Sequence, residues 1–212
     1  MSALKYIGKR RMRDDSFSRV TGQCRFLADI KIPGMLYARI VESTHPCADI
    51  AIDKTEALAV PGVVAVWTYE DIPKIPYNSV EWYAGAHYPR DEYLLNERAR
   101  YVGDRIALVV AESKEACERA AAKVNVVYHD LPVCMTVEEA QTDRIIVNGT
   151  TNLTYTRTME YGDWEKAAAE ADYIVEDRGS TPRQHHLALE PHDALAEIDR
   201  TGRLVMHSPC QD

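Results

Sequence analysis

Four side chains with metal-ligand chemistry fall between positions 185 and 192: His185, His186, Glu190 and His192. Neutral imidazoles with a carboxylate suit zinc or non-haem iron. On a strand, the period-two rule puts His186, Glu190 and His192 on one face. The spacing matches no compact metal motif, however. An H-E-x-x-H pair needs helical spacing, and Pro191 forbids a helix here. Metal binding is therefore the less favoured reading, and the role of the four residues stays open. The five cysteines are Cys24, Cys47, Cys117, Cys134 and Cys210. Their number is odd and none are paired as C-x-x-C, which argues against a zinc ribbon, a disulfide framework or an iron–sulfur site within this chain. There is no GxGxxG, no P-loop and no GxSxG. The sequons at Asn148 and Asn152 lack a signal peptide to give them access to glycosylation.

Charge and composition narrow the partners. The net charge is −8, and phosphate neutralisation needs a basic surface, so nucleic acid is not an expected partner. The one basic cluster, Lys9-Arg10-Arg11-Met12-Arg13, has no interleaved aromatics and reads as a solvated N-terminal arm. The N-terminus has no apolar core of a secretory signal. The longest apolar run, residues 106–111, is far too short to span a bilayer. A cytoplasmic protein is the expectation. The 46% hydrophobic content is ordinary for a globular core.

The elements that must position any site are clearest at residues 100–127. Residues 106–111 form a β-branched run of buried-strand length, with Gly103-Asp104 as turn residues before it. If this strand is central in a covered sheet, Val109 and Val110 are both buried on opposite faces. Ser113 is an N-cap for a helix reaching about residue 123, and residues 124–128 return to strand composition. Strands are expected at 25–30 and 35–42, joined by Pro33-Gly34, and at 48–53 and 63–68. A short helix over 54–60 is stopped by Pro61-Gly62. Two βαβ-like units result, 48–68 and 106–128. Residues 74–98 lose all pattern while holding Tyr77, Trp82, Tyr83, Tyr88 and Tyr93, which suits a surface excursion anchored by aromatics. Further on come a helical turn at 136–141, a linker at 142–151, a strand at 152–161, and a helix at 164–171 capped by Asp163. Strands at 173–178, 193–199 and 203–207 follow, the last two joined by a Thr201-Gly202 turn. The expected division is an arm over 1–22, an α/β domain over 23–145 and a second, incomplete domain over 146–212.

These pieces also form a pattern. Asp29-Ile30 is followed by Pro33-Gly34-Met35-Leu36-Tyr37-Ala38-Arg39, then Ser43 and His45-Pro46, then Pro61-Gly62-Val63-Val64-Ala65-Val66, then Arg100-Tyr101-Val102-Gly103-Asp104. Gly162-Asp163, Gln184, His186, Leu189-Glu190-Pro191 and Ala196 continue it. The order and spacing resemble the start of the molybdenum-binding subunit of xanthine dehydrogenases, which aldehyde oxidases and carbon monoxide dehydrogenases share. The resemblance runs from about residue 7 to residue 211.

The resemblance implies an α+β fold: an α/β hammerhead domain with a mixed sheet, then the first strands and helix of a molybdopterin-binding domain. It implies a molybdenum–molybdopterin cofactor, with [2Fe-2S] clusters and FAD on partner domains or subunits. The whole enzyme would hydroxylate a purine, a related heterocycle or an aldehyde with oxygen from water, and xanthine-type purines are the first expectation. The family's Ser-Thr-Gln segment maps onto Ser208-Pro209-Cys210-Gln211, so Gln211 is the implied cofactor contact, with an amide able to donate to a metal oxo group. Pro209-Cys210 departs from the family. The later glycine-rich segment and the general-base glutamate have no counterpart up to Asp212, so no catalytic residue is implied here. Glu190 falls on the structural Leu-Glu-Pro motif and is not the base. A fragment or a split subunit, inactive alone, is the expectation. Its rival is a non-catalytic binding or assembly module derived from the hammerhead domain.

Overall fold

The computed structural model describes residues 5–79, 90–147, 149–153, 156 and 158–210. Along the chain lie α1 (Ser16–Val20), a 3-10 turn (Leu27–Asp29), β1 (Tyr37–Glu42), β2 (Ala48–Asp53), α2 (Thr55–Leu58), β3 (Val63–Thr68) and β4 (Arg98–Ala99). Then come β5 (Arg105–Ala111), α3 (Lys114–Ala121), β6 (Asn125–Asp130), α4 (Val137–Ala140), α5 (Trp164–Glu170), β7 (Leu195–Ile198) and β8 (Leu204–His207). The class is α+β, as expected. Among the described residues no helix is long and apolar enough to cross a membrane.

The chain divides into two compact units, Gly34–Glu176 and a second made of Met1–Pro33 with Asp177–Asp212. These cuts differ from the divisions expected at 22 and 145. In the first unit, β1-β5-β3 form one sheet and β4-β2-β6 another. Every strand pair is antiparallel, so the mixed sheet is corrected to two antiparallel ones. The βαβ reading is corrected with it. α2 carries the chain from β2 in one sheet to β3 in the other, and α3 carries it from β5 to β6 in the same way. Length explains this. Four helical residues advance about 6 Å, whereas a six-residue strand runs about 20 Å. Neither α2 nor the eight-residue α3 can return the chain along a strand to start a parallel neighbour.

β5 is central, and its pleat serves two cores. Val109 and Ala111 pack with Ala57 of α2 and with Ala116, Cys117 and Ala120 of α3. Ile106 packs with Ile50 and Ala99 of the other sheet. A strand covered on both sides reads as an unbroken apolar run, which residues 106–111 are. The helix meets the sheet closely because its buried positions are small. The Ser113 hydroxyl caps α3, accepting from the Ala116 N–H at 3.1 Å. Gly62 ends the α2 connection at φ +89°, with Ala116 Cβ only 3.5 Å from where a side chain would start. Asp163 caps α5 through the Lys166 N–H at 2.9 Å.

Asp104, 1% exposed, holds the loops at one end of these sheets together. Its Oδ1 accepts from Asn96 Nδ2 at 2.8 Å and from the Arg105 N–H at 2.9 Å, and its Oδ2 accepts from the Arg100 N–H at 3.0 Å. Its carbonyl accepts from the Ser43 N–H at 2.8 Å, and the Gly103 N–H donates to the Ser43 carbonyl at 2.8 Å. Arg100 donates to Asn96 Oδ1 at 2.5 Å and to the Asp91 carbonyl at 2.7 Å. The Ser43 and Arg100–Asp104 motifs, far apart in sequence, are thus two sides of one junction.

Other expectations change. Residues 25–30 form the 3-10 turn and no strand, with the Asp29 carboxylate accepting from the Phe26 N–H at 3.0 Å. The 1–22 arm contains α1, with Asp15 bridging Arg13 and Arg19. Among the described residues, 152–161 and 173–178 form no strand. A strand needs a ladder partner, and the Asn152 backbone N–H instead donates to Asp143 Oδ1 at 2.8 Å, while its side-chain amide donates to the Ile145 and Ala140 carbonyls at 2.7 and 3.2 Å. In the second unit, β7 and β8 pair as a hairpin. Its loop is held by Asp199, whose carboxyl is lowered to about 2 by bonds from the Thr201 hydroxyl and the Arg203 N–H. The Leu27 N–H donates to Glu190 Oε1 at 3.0 Å, joining that unit's two segments.

Two outcomes follow for stability. Val109 is fully buried whereas Val110 is only partly so. Val109→Asp is expected to cost at least about 3 kcal/mol from an unpaired buried charge, and Val110→Asp less. Equal urea midpoints for the two variants would refute the two-sided placement of β5. Asp104→Ala leaves the Asn96 amide and two backbone N–H groups without their acceptor and should cost about 3 kcal/mol. Asp104→Asn keeps the shape and should lose less. The ranking can be read from thermal melts.

Candidate functional site

Residues 181–194 have no regular structure. Leu187 sits at φ +49°, a left-handed conformation that breaks period-two alternation. His186, Glu190 and His192 therefore do not share a strand face, which corrects the expectation above. His185 Nδ1 accepts from the Leu187 N–H at 3.0 Å, and Glu190 is engaged by Leu27. Among the described residues, no group of three or more His, Cys, Asp or Glu side chains is placed to hold a metal ion. The carboxylate of the Leu-Glu-Pro motif acts as a tie between chain segments.

Gln211, the expected cofactor contact, lies outside the described residues. The backbone leading to it is held. β8 ends at His207, and the Ser208 hydroxyl donates to the Asp193 carbonyl and accepts from the Cys210 N–H, both at 3.2 Å. A pterin- and phosphate-bearing group needs several convergent donors. The described residues beside position 211 offer one hydroxyl already used twice. They do not make a cofactor cradle, so no reaction step is derived through them.

Within the first unit, a polar groove of about 700 Å³ is lined by Lys74, Arg98, Arg100, Tyr93 and Asn96, among others. Its cations are neutralised internally. Lys74 Nζ lies 2.5 Å from Glu97 and Arg98 Nε 2.6 Å from Asp49. Each carboxylate bond raises the pKa of its cation. Arg100 is held by Asn96 and Asp91. Two anchors of the aromatic-rich loop are visible: Tyr77 and Glu92 exchange backbone bonds at 2.9 and 3.1 Å, and Arg105 donates to the Tyr77 hydroxyl at 2.7 Å. Trp82, Tyr83 and Tyr88 lie outside the described residues.

The His45-Pro46 motif also has a structural use. The His45 ring stacks on Tyr128 with centroids 4.0 Å apart, and its Nδ1 lies 2.6 Å from Asp130 Oδ1. The five cysteines are free thiols. Burial pushes the Cys117 and Cys47 thiols up, away from the thiolate form that does chemistry. The Asn96–Arg100–Asp104 junction was not legible in the sequence, where Gly103-Asp104 reads as a turn and Arg100–Asp104 as part of the family pattern, with no contact to Asn96 implied. The available signal was an acid set directly before a two-sided buried strand.

Comparison with known proteins fits this arrangement. Residues 21–132 match the model of the aldehyde oxidase and xanthine dehydrogenase a/b hammerhead domain, and residues 146–212 match the molybdopterin cofactor-binding domain. The chain is 33% identical over 204 residues to the nicotinate dehydrogenase large molybdopterin subunit of Eubacterium barkeri, covering 94% of this chain and 46% of that protein. It is 33% identical over 211 residues to the xanthine dehydrogenase molybdenum-binding subunit of Escherichia coli O157:H7, covering 94% of this chain and 27% of the relative. The chain thus spans from about a quarter to under half of these relatives. The aldehyde oxidoreductase of Desulfovibrio gigas superposes with a TM-score of 0.80 at 30% identity, over 92% of this chain and 23% of that structure. The hammerhead match alone covers more than half of the residues, and the chain belongs to the aldehyde oxidase and xanthine dehydrogenase family of molybdopterin-dependent oxidoreductases.

Proposed function

We propose that this chain is the N-terminal portion of the molybdenum-binding subunit of a xanthine-dehydrogenase-like hydroxylase. It would contribute an arm (1–22), the hammerhead domain (23–145) and the opening part of the molybdopterin-binding domain (146–212). The observation that carries this reading is the order of the two domain matches, hammerhead then molybdopterin, in one chain that spans only part of its relatives.

The whole enzyme would convert a C–H bond to C–OH, taking the oxygen from water and releasing two protons and two electrons. Bound molybdopterin supplies the metal for that redox chemistry, and [2Fe-2S] clusters and FAD on partner domains or subunits would carry the electrons away. The substrate class is a carbon beside nitrogen in a heterocycle, or an aldehyde, with xanthine-type purines first. The relatives' names support this breadth, since they specify xanthine, nicotinate and aldehyde. The setting would be cytoplasmic. By the resemblance this chain would supply Gln211 as a cofactor contact, while the Asp104 junction holds together the loops at one end of the hammerhead sheets.

The isolated chain is expected to bind no molybdenum, because Gln211 is the one implied contact it holds. Elemental analysis checks this, and stoichiometric metal would overturn it. Reconstitution with the rest of the subunit separates the enzyme from a non-catalytic module, which would take up no cofactor in either state. In the reconstituted enzyme Gln211→Ala should lower turnover by about 3 kcal/mol of barrier while leaving the melting temperature unchanged. Gln211→Glu replaces the donor with an acceptor and should be at least as damaging. Unchanged turnover in both variants would end the cofactor-contact assignment.

A further inference from the structure

β6 is an edge strand, paired on one side and open on the other. The sheet order β4-β2-β6 leaves no strand beyond it among the described residues. Two bonds fix which of its backbone groups point outward. The Leu131 N–H donates to the Cys47 carbonyl at 2.9 Å on the β6 side of β2, and the Ile50 N–H donates to the Glu97 carbonyl at 3.4 Å on the β4 side. Antiparallel pairing alternates the two directions residue by residue. Asn125, Val127 and His129 therefore bond β2, and the N–H and C=O groups of Val126, Tyr128 and Asp130 face away from it. Among the described residues no other backbone group takes them up. Proteins usually blunt such an edge with a proline, a lysine or a bulge. Residues 125–130 contain no proline and no lysine, and their register with β2 runs without a shift.

We infer that β6 is the seam of a two-fold dimer, in which it pairs antiparallel with β6 of a second copy about an axis through Val127. An isologous contact needs a surface complementary to itself, and this strand is one. With Val127 opposite Val127 of the second copy, Val126 falls opposite Tyr128 and Asn125 opposite His129. Both Val126–Tyr128 pairs join outward-facing residues, so each can exchange two backbone hydrogen bonds. Val126 and Tyr128 also share the face that packs on the Ile50, Ala99 and Ile106 core. The apolar layer therefore continues across the seam, whereas a slip of one residue would set it against the solvent face. A register centred on Tyr128 keeps both conditions but sets the Asp130 carboxylate against Val126. Around Val127 no like charges oppose one another, and Asp130 falls opposite Val124, beside Lys123, at both ends. The net charge of −8 on each copy is screened beyond about 8 Å at physiological salt. One strand edge is smaller than a permanent interface, so the dimer dissociates on dilution.

The test is sedimentation equilibrium on the protein as its own gene encodes it, where a monomer–dimer exchange that shifts with concentration is expected. Val127→Lys sets two ammonium groups opposite each other on the axis and should weaken dimerisation roughly tenfold or more. Val127→Glu should do the same. An equimolar mixture of the two variants restores an opposite-charge pair and should recover the parent affinity to within about threefold. Val137→Lys, on exposed α4, should leave association unchanged. Val127 is 49% exposed, so the melting temperatures of its variants should match the parent's. On the parent itself, the Val126 and Tyr128 amides should gain protection from hydrogen exchange as concentration rises. A protein that is monomeric at every concentration overturns the seam. So does a dimer indifferent to Val127→Lys, which assigns association to another surface. Two weakened variants that fail to recover when mixed overturn the two-fold register. Protection of both amides in a monomer assigns the edge to another segment, and the seam is again overturned.

Discussion

The Asp104 carboxylate is the interaction on which the first unit depends. It is buried, it accepts from Asn96, Arg100 and Arg105, and its own carbonyl is bonded by Ser43. It thereby fixes where β5 begins relative to the loop after β1. Sheet register is an all-or-none property, since a slip of one residue turns every side chain to the other face. Pinning the start of β5 therefore decides that Ile106 enters one core and Val109 the other. A buried carboxylate is an expensive pin, and it stabilises only because its donors are complete.

Local features were legible in the sequence because their causes are local. Ser113 and Asp163 cap helices through a hydroxyl or carboxylate three residues from the N–H they satisfy. β2 and β3 occupy residues 48–53 and 63–68 because alternation and β-branched composition are properties of six residues at a time. What resisted was anything set by distant partners. Nothing within residues 48–68 says that β2 and β3 lie in different sheets. Residues 25–30 and 173–178 carry strand-like composition without a neighbouring strand to pair with. The site was legible only through resemblance. Gln211 is an ordinary glutamine by chemistry, and its implied role comes from a pattern spread over the chain. The same pattern gave no warning that Ser43 and His45 serve packing and loop closure.

The motifs that mark the family are thus mostly architectural in this chain. Ser43 and Asp104 close the junction, His45 stacks on Tyr128, and Glu190 ties Leu27. Fold and catalysis are separable properties, with function residing in sites placed on a scaffold. A chain that keeps the scaffold residues keeps the family's shape, which the TM-score of 0.80 against an aldehyde oxidoreductase reflects.

The central position of β5 has a consequence during synthesis. Its partner β1 pairs Tyr37 with Ala111, 74 positions later. At the usual 5–20 residues per second, β1 waits roughly 4–15 s on the ribosome before that strand exists. β2 must likewise wait for β6. Both early strands spend that interval with open edges, which are templates for wrong pairing. The nascent hammerhead therefore exposes unpaired strand edges for seconds, and slower elongation through residues 43–104 lengthens that exposure.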